Sequence, residues 1–254
     1  MLTRRQINSA VVAAPFFEPA ALFARTNKFF GVPTKDIQYP KIIAAPTEHI
    51  QGIYPAQPSD ESEAANILLA TPSGPTAFDV ASYFVSGKVP ADYLEQRPYS
   101  ASWNPLILDF FTATNLRASN DLVPWCAAFV RWCLYRANKK HGDSPGSQSF
   151  LNDGFPPASQ PNIGDIVVFT CHRKDTGADT GLGHVGFLAS IPKSGAFNVL
   201  GGNQSKAGNS SCICISSFKS DYPMTRCLSV YSNGKCSEPR VEVNLKLNRF
   251  LKIP

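Results

Sequence analysis

The chain has 254 residues, a length expected for one domain with extensions or for two small domains. A hydrophobic fraction of 43% and a charged fraction of 17% are those of an ordinary globular protein, and 21 prolines exclude a coiled coil or a simple helical bundle. The formal net charge of +5 comes without any run of five Lys or Arg residues, so a dedicated nucleic-acid binder is not expected. Such a mild positive charge suits adhesion to a polyanionic surface such as a bacterial envelope. No apolar run approaches ~18 residues, so no membrane span is predicted.

Residues 1–24 have the composition of an export signal. Arg4 and Arg5 precede a mostly apolar stretch at 9–17, and small residues follow it. The paired arginines resemble a twin-arginine signal, which directs folded proteins out of the cytoplasm. Glu18 favours the alternative, an amphipathic N-terminal helix of a cytosolic protein. We expect export to the periplasm or cell envelope, and the sequence leaves cleavage of the signal open.

After residue 24, the predicted secondary structure changes from helices and loops in the first half of the chain to strands in the second half. Residues 25–60 contain five prolines and are predicted to be an arm or linker, and 61–103 are predicted to be a helical accessory segment. Helices are predicted near 59–69, 77–85, 104–115, 123–140 and 145–154. Short strands are predicted at 166–170, 184–191, 197–201, 212–215 and 228–230, with a polar loop at 171–183. This order predicts an α+β domain over residues 104–236, with helices packed on a small antiparallel β-sheet, followed by a tail at 237–254.

Seven cysteines are many for a cytosolic protein of this size. A zinc site would have to use Cys171, His172, Cys212 and Cys214, but the chain contains no Cys-x-x-Cys pair, so we expect no metal. No cofactor is expected either. In an oxidising compartment the five cysteines after Cys133 could form up to two disulfides, and the sequence does not give their pairing.

The helix predicted at 123–140 contains the strongest candidate nucleophile, Cys126. We expect Asn120 or Asp121 to cap this helix and Pro124 to lie in its first turn, so that Cys126 also falls in that turn. Unpaired backbone N–H groups and the helix dipole lower the pKa of a thiol there, and only the thiolate is a strong nucleophile. Cys133 lies two turns further on the same face and is expected to be a core residue, which is also the alternative interpretation of Cys126.

His184 is the histidine that the sequence places at the start of an apolar strand. A polar imidazole in such a buried position indicates a functional role. The surrounding segment matches G-x-G-x-x-G, but a polar loop precedes it and a strand follows it, so a dinucleotide site is excluded. One strand later, Asn203 or Gln204 lies beside the His184 strand if the two strands form a hairpin. A side-chain amide there could accept the imidazole N–H and fix its tautomer, or the segment could be a simple turn.

Four motifs occur in order: PWCAAFV at 124–130, IGDIVVF at 163–169, GHVGF at 183–187 and LGGNQ at 200–204. This series resembles the papain-like cell-wall cysteine peptidases of the NlpC and CHAP type, over about residues 104–217 and more weakly over 64–84. The resemblance implies a papain-like fold with Cys126 as nucleophile, His184 as base and Asn203 as the orienting residue. The third residue differs among members of this superfamily.

The resemblance also implies a substrate, because many members cleave peptide bonds in peptidoglycan stems or the amide that joins the stem to the sugar. We expect Trp125, Asp121 and Gln204 to contact this substrate, although capping of the helix is the favoured role of Asp121. Other interpretations stay open: a catalytically silent wall-binding module, a thiol acyltransferase, or an antibacterial effector on the same fold. The bond cleaved and the oligomeric state do not follow from the sequence.

Overall fold

A computed structural model of the chain describes residues 56–97, 102–118, 120–191, 195–205, 211–228 and 239–254, together with the backbone of 231–232 and 235–236. The predicted export signal and nearly all of the predicted arm lie outside these residues. In the described ranges no helix is both long enough and apolar enough to cross a membrane.

The first half of the described chain is helical, as predicted. Its helices are α1 (Pro58–Ala70), α2 (Ala77–Phe84), α3 (Ala91–Leu94), α4 (Pro105–Phe110) and α5 (Cys126–Arg136), with 3₁₀ helices at Phe111–Ala113 and Ser147–Leu151. Local side-chain chemistry determines where two of them begin. Thr76 and Asp79 form a reciprocal capping box at α2, and Asn104 caps α4 by accepting from the Leu106 amide at 3.0 Å.

The second half forms a six-stranded antiparallel sheet in the order β4-β3-β2-β1-β8-β5. The strands are β1 (Ile166–Arg173), β2 (Asp179–Ser190), β3 (Ala196–Ser205), β4 (Ser211–Lys219), β5 (Asp221–Arg226), β6 (Tyr231–Ser232), β7 (Lys235–Cys236) and β8 (Val241–Leu251), of which β6 and β7 pair separately. The sheet curls enough for the rings of Phe218 in β4 and Phe169 in β1 to approach to 5.1 Å. Helices and an antiparallel sheet together are the α+β class predicted from the sequence.

Three details of the sheet differ from the prediction. The segment predicted as a loop at 171–183 is the end of β1, a tight turn and the start of β2, because the strands continue pairing as far as His172 and Asp179. A strand is predicted at 228–230, but Leu228 is not part of a strand in the structure, and residues 229–230 are outside the described ranges. The tail predicted after residue 236 contains β8, which pairs with both β1 and β5, so the sheet extends to Leu251.

The start of α5 also differs from the prediction. The helix begins at Cys126 rather than near residue 123, and Trp125 occupies the N-cap position without a side-chain cap. Asp121 does not cap it, because its Oδ2 accepts from the backbone amides of Arg97 at 3.2 Å and Asn104 at 3.0 Å. Asp121 therefore joins the loop before α5 to the start of α4.

Apolar side chains pack on both faces of the sheet. The helices pack on one face, where α5 contacts β2 and β3, α2 contacts β3, and α4 packs on α5. The sheet residues in this cluster are Ile166, Val168, Val185, Phe187 and Leu200. The other face has its own cluster inside the curled sheet: Val167, Phe169, Cys171, Leu188, Val199, Val243 and Leu245. Strand alternation thus separates the side chains that touch α5 from those inside the sheet.

Arg131 fixes the middle of α5 to the segment that follows it. Its guanidinium is fully buried, pairs with Asp153 at 2.6 Å and donates to Ser149 Oγ at 2.6 Å and to the Ser144 carbonyl. The same group lies 4.1 Å from the centre of the Phe150 ring. A buried cation needs such a set of partners, and this set orders the loop around 144–153.

Candidate active site

Cys126 is the first residue of α5, and its thiol lies against strand β2. The side chain is 6% exposed, and Sγ accepts a hydrogen bond from the backbone N–H of Val185. Burial raises the pKa of the thiol above 9.0, while the Arg226 guanidinium, the Val185 N–H and the N–H groups at the helix start oppose that rise. The candidate nucleophile thus rests as a thiol surrounded by groups that favour the thiolate.

His184 precedes Val185 in β2, so the backbone places the candidate base one residue from the contact made by the thiol. The imidazole is 7% exposed and stacks on the Phe218 ring, with centroids 5.4 Å apart and planes inclined by 29°. Its Nε2 is buried and has no hydrogen-bond partner among the described residues. Burial and the nearby Arg226 charge lower the pKa of His184 to about 3, so the ring is neutral.

The structure brings Cys126 and His184 to the same point on β2, but it does not join their side chains. Among the described residues, no hydrogen bond links the Cys126 sulfur to the imidazole. Alternation along the strand explains this, because Val185 faces the helices while His184 points into the curled sheet. The structure therefore brings the Cys126 side chain next to the backbone of β2 at His184, while the imidazole ring of His184 faces Phe218.

Asn203 occupies a special backbone position near the end of β3. Its φ is 58°, in the left-handed region where asparagine is tolerated, and it lies in an irregularity of the β3–β4 pairing. Its Oδ1 accepts from Ser211 Oγ at 2.5 Å. Phe187 pairs with Leu200, and the same register continued by three residues would bring Asn203 opposite His184. No hydrogen bond within the described ranges joins these two side chains.

Gln204 is 3% exposed and points into the protein. Its Nε2 donates to the carbonyls of Val199 and Cys214, both at 3.2 Å. Its Oε1 is buried and has no partner in the described part of the chain. A side chain so enclosed cannot reach a substrate without rearrangement. The interactions present in the structure hold the irregular end of β3 against β4.

Two further residues expected to touch substrate are also buried. Trp125 is 0% exposed, with its indole parallel to the Phe110 ring, and a Cβ added to Gly202 would lie 2.6 Å from Trp125 Cε3. Asp121 is 1% exposed and accepts from two backbone amides. In the structure both side chains contact only neighbouring parts of the described protein, and their contact with substrate stays a prediction.

Arg226, the last residue of β5, is the site residue that the sequence analysis missed. Its Nη1 donates to the Gly183 carbonyl at 3.1 Å and contacts Cys171 Sγ at 3.3 Å. Gly183 directly precedes His184, so the cation lies beside the candidate base. The next residue, Cys227, is disulfide-bonded. The contacts span 43 and 55 residues of chain, and no local sequence pattern signals them.

The remaining cysteines lie in the sheet or in the core of α5. Cys133 is fully buried, and burial raises its pKa well above 9.0. The sulfurs of Cys212 and Cys214 approach to 2.8 Å within β4. In the described part of the chain, no group of three or more His, Cys, Asp or Glu side chains is arranged to hold a metal ion.

Comparison with known proteins identifies the region that carries this geometry. Residues 118–203 match the CHAP domain model, a span that includes Cys126, His184 and Asn203 and stops before Arg226. Comparisons with curated proteins and with solved structures returned no match. CHAP domains belong to the papain-like cysteine peptidase and amidase superfamily, as the motif series implied. The chain therefore contains a CHAP domain at residues 118–203 and, with it, a papain-like α+β fold.

Proposed function

We propose that this protein is a cysteine hydrolase that cleaves amide bonds in peptidoglycan stem peptides, or the amide that joins the stem to the sugar. Cys126 is the nucleophile, His184 the base and Asn203 the residue that orients the imidazole. The observation that carries this proposal is the Cys126 thiol at the first position of α5, held by the Val185 N–H one residue from His184 within the CHAP region.

Each step of the reaction has a group suited to it. The Cys126 thiolate attacks the amide carbonyl, and the backbone N–H groups at the start of α5 donate to the oxyanion that develops. His184 takes the thiol proton and later gives it to the leaving amine. Water then hydrolyses the acyl-enzyme and regenerates the thiol. Arg226 favours the thiolate, because its charge lowers the pKa of Cys126 against the effect of burial.

Catalysis requires the His184 ring to leave the position seen in the structure. A base with a pKa of about 3 is too weak to take a thiol proton near neutral pH. Because His184 points away from the helices in the structure, bringing its ring to the sulfur requires a shift of the β2 backbone at His184 as well as rotation of the side chain. The stack with Phe218 is then a resting state, and substrate binding selects the rotated ring.

Peptidoglycan as the substrate agrees with the predicted export of the protein and with its positive charge. A protein that acts on peptidoglycan must reach the periplasm or cell envelope, and residues 1–24 have the composition of an export signal. We assign catalysis to the helices and sheet from residue 104 onward, and a supporting role to the helices of 61–103. The formal charge of +5 favours contact with an anionic wall.

Digestion of purified sacculi tests the proposal. Wild type, Cys126→Ala and the matched control Cys133→Ala, which changes the other cysteine of α5, are incubated with sacculi, and released fragments are identified by mass spectrometry. We expect the same fragments from wild type and Cys133→Ala, and none from Cys126→Ala. The mass of the fragments identifies the bond. Release by Cys126→Ala at the wild-type rate would refute the thiol mechanism.

A catalytically silent wall-binding module is the second candidate, and one observation favours it: the described residues provide no hydrogen bond between Cys126 and His184. Co-sedimentation with sacculi, measured beside the digestion, separates the two candidates. Binding without release of any fragment by wild type would establish the binding module. Binding together with release that depends on Cys126 would establish the hydrolase.

A further inference from the structure

Arg226 presents unused hydrogen-bond donors beside the candidate active site. Both of its contacts, to the Gly183 carbonyl and to Cys171 Sγ, are made through Nη1. A guanidinium carries five N–H donors in a planar fork, so Nε and Nη2 keep three of them. In the described part of the chain, neither atom donates to another residue, and the side chain is half-buried.

Among the residues that the structure describes, the charge of Arg226 also has no carboxylate partner. The ion pairs of the described residues join Arg97 to Asp60, Arg131 to Asp153, Arg173 to Asp175 and Lys174 to Glu242. Arg226 is absent from this set, although it is less exposed to water than a surface arginine. Partial burial of an unpaired cation costs free energy, which an incoming anion would recover.

We propose that Arg226 binds a free carboxylate of the substrate next to the scissile amide, and so makes the enzyme selective for stem peptides that carry that carboxylate over those in which it is amidated. This inference rests on the proposed function and names the substrate class for the same site. A planar fork matches a carboxylate through two parallel hydrogen bonds, which a lysine ammonium does not reproduce. Stem peptides supply such groups, since their acidic residues carry free or amidated carboxyls close to the amide bonds.

The position of Arg226 fits this task. Its Nη1 is anchored to the residue directly before His184, so a carboxylate on the remaining donors lies beside the base. The disulfide at Cys227 adds a covalent constraint immediately after Arg226. A cation fixed beside the base orients the peptide while the thiol of Cys126 attacks. In this role Arg226 binds the substrate and takes no part in bond breaking.

Binding to an inactive enzyme tests the inference independently of turnover. Full-length Cys126→Ala and the double variant Cys126→Ala/Arg226→Gln are titrated by calorimetry with two synthetic stem peptides. The peptides differ only in a free carboxylate or a carboxamide on the acidic residue. We expect the single variant to bind the carboxylate form about 10- to 100-fold more tightly, as for a charged hydrogen bond, and the double variant to lose that preference.

Two further variants keep the result interpretable. Arg226→Lys in the same background retains the charge without the fork and is expected to show an intermediate preference. Arg173→Gln removes an arginine that is paired with exposed Asp175 outside the site, and it should leave the preference unchanged. Melting temperatures of all variants show whether they are folded. An unchanged preference in folded Arg226→Gln protein would overturn the inference.

Sacculus digestion distinguishes failure of the inference from failure of the proposed function. If wild type releases no fragment, the hydrolase proposal fails, while a carboxylate preference that depends on Arg226 still supports the binding role. If wild type releases fragments and the preference persists without Arg226, the hydrolase stands and the assignment of Arg226 is wrong. Equal binding of both peptides by Cys126→Ala would also overturn the assignment.

Discussion

The imidazole of His184 stacks on the ring of Phe218, with centroids 5.4 Å apart and planes inclined by 29°. This contact buries Nε2 without a partner and holds the histidine in its neutral form, with a pKa of about 3. A stacked, unpaired ring is stable as long as it is uncharged. The protonation of His184 therefore depends both on pH and on the packing of Phe218 in β4.

The first prediction follows from that coupling. Between pH 6.5 and about 3 the unfolded chain protonates His184 while the folded protein does not, so stability falls as the pH decreases across this window. One such proton changes the free energy of unfolding by up to about 1.4 kcal/mol per pH unit. His184→Phe keeps a ring beside Phe218 and removes the titration. We expect it to lose less stability on acidification, measured by urea unfolding at pH 6.5, 5.5 and 4.5.

His141 provides the reference for this measurement. Burial lowers the pKa of His141 as well. Its titration changes the stability of wild type and of His184→Phe in the same way, so the difference between their two pH profiles comes from His184. Parallel profiles for wild type and His184→Phe would contradict the buried, neutral ring.

The second prediction concerns the reactivity of the two cysteines in α5. Cys126 is 6% exposed with a raised pKa, whereas Cys133 is 0% exposed with a pKa raised much further. Alkylation requires the thiolate, so Cys126 should react slowly with iodoacetamide at pH 7 and faster as the pH rises past 9. Cys133 should react only in denaturant. Peptide mass mapping measures both rates, and equal rates in the folded protein would argue against Cys126 as nucleophile.

Elements fixed by local chemistry are the ones that the sequence predicts well. The helices predicted near 59–69 and from residue 104 lie close to α1, which ends at Ala70, and α4, which Asn104 caps, because such ends depend on residues within one turn. The strand β8 carried a usable signal, because Val241, Val243 and Leu245 alternate with polar residues. That alternation is typical of a half-buried strand, so the expectation of a tail after residue 236 did not use a signal that the sequence contains.

Other features of the site have no local signal. The orientation of His184 depends on a ring 34 positions away in β4, and the cation beside it comes from β5. The sequence could place Cys126 at a helix start and His184 in a strand, which is why the family resemblance is correct. It could not predict that alternation in β2 turns the imidazole away from the thiol, because that depends on the curl of the whole sheet.

The third prediction tests the close approach of β3 to α5. A Cβ on Gly202 would lie 2.6 Å from Trp125 Cε3 and 2.9 Å from Phe129 Cβ, and both neighbours are fully buried. Overpacking at such a point costs about 1–3 kcal/mol, so Gly202→Ala should lower the urea midpoint accordingly. Gly146→Ala is the control, because its nearest neighbour would be Ser144 Oγ at 3.5 Å. A shift no larger than that of the control would contradict the packing.

The fourth prediction concerns Asp109 on α4. Burial of Oδ2 without a partner, together with the charge of Glu61, raises the pKa of this carboxyl to about 7. The folded protein therefore holds a proton that the unfolded chain loses above pH 3.8, so this group reduces stability as the pH rises from about 4 to 7. Asp109→Asn should stabilise the protein by up to about 4 kcal/mol at pH 8, from a shift of about three pKa units, and have little effect near pH 3.5. Thermal melts at the two pH values test this, and an equal shift at both would exclude the titration.

The fifth prediction separates the two roles open to Asn203. If its side chain orients His184 during catalysis, removing the amide should lower turnover by about 10- to 1000-fold, as for other orienting residues. Alanine alone is a poor test, because φ is 58° and a side chain without local hydrogen bonding is strained there. Asn203→Gly removes the same amide and keeps the backbone relaxed, so both variants should lose turnover while only alanine loses additional stability.

Ser211 and Gln204 complete the comparison. Ser211→Ala removes the partner that Asn203 Oδ1 has in the structure, so it reproduces any effect that comes from that hydrogen bond alone. Gln204→Ala removes the neighbouring amide, which holds the end of β3 through the carbonyls of Val199 and Cys214. Turnover per folded molecule, from fragment release corrected for the folded fraction, should fall for Asn203→Gly and stay near wild type for Ser211→Ala. If Gln204→Ala abolishes turnover and Asn203→Gly does not, the buried, unpartnered Oε1 of Gln204 is the acceptor that His184 meets, and the third catalytic role moves to Gln204.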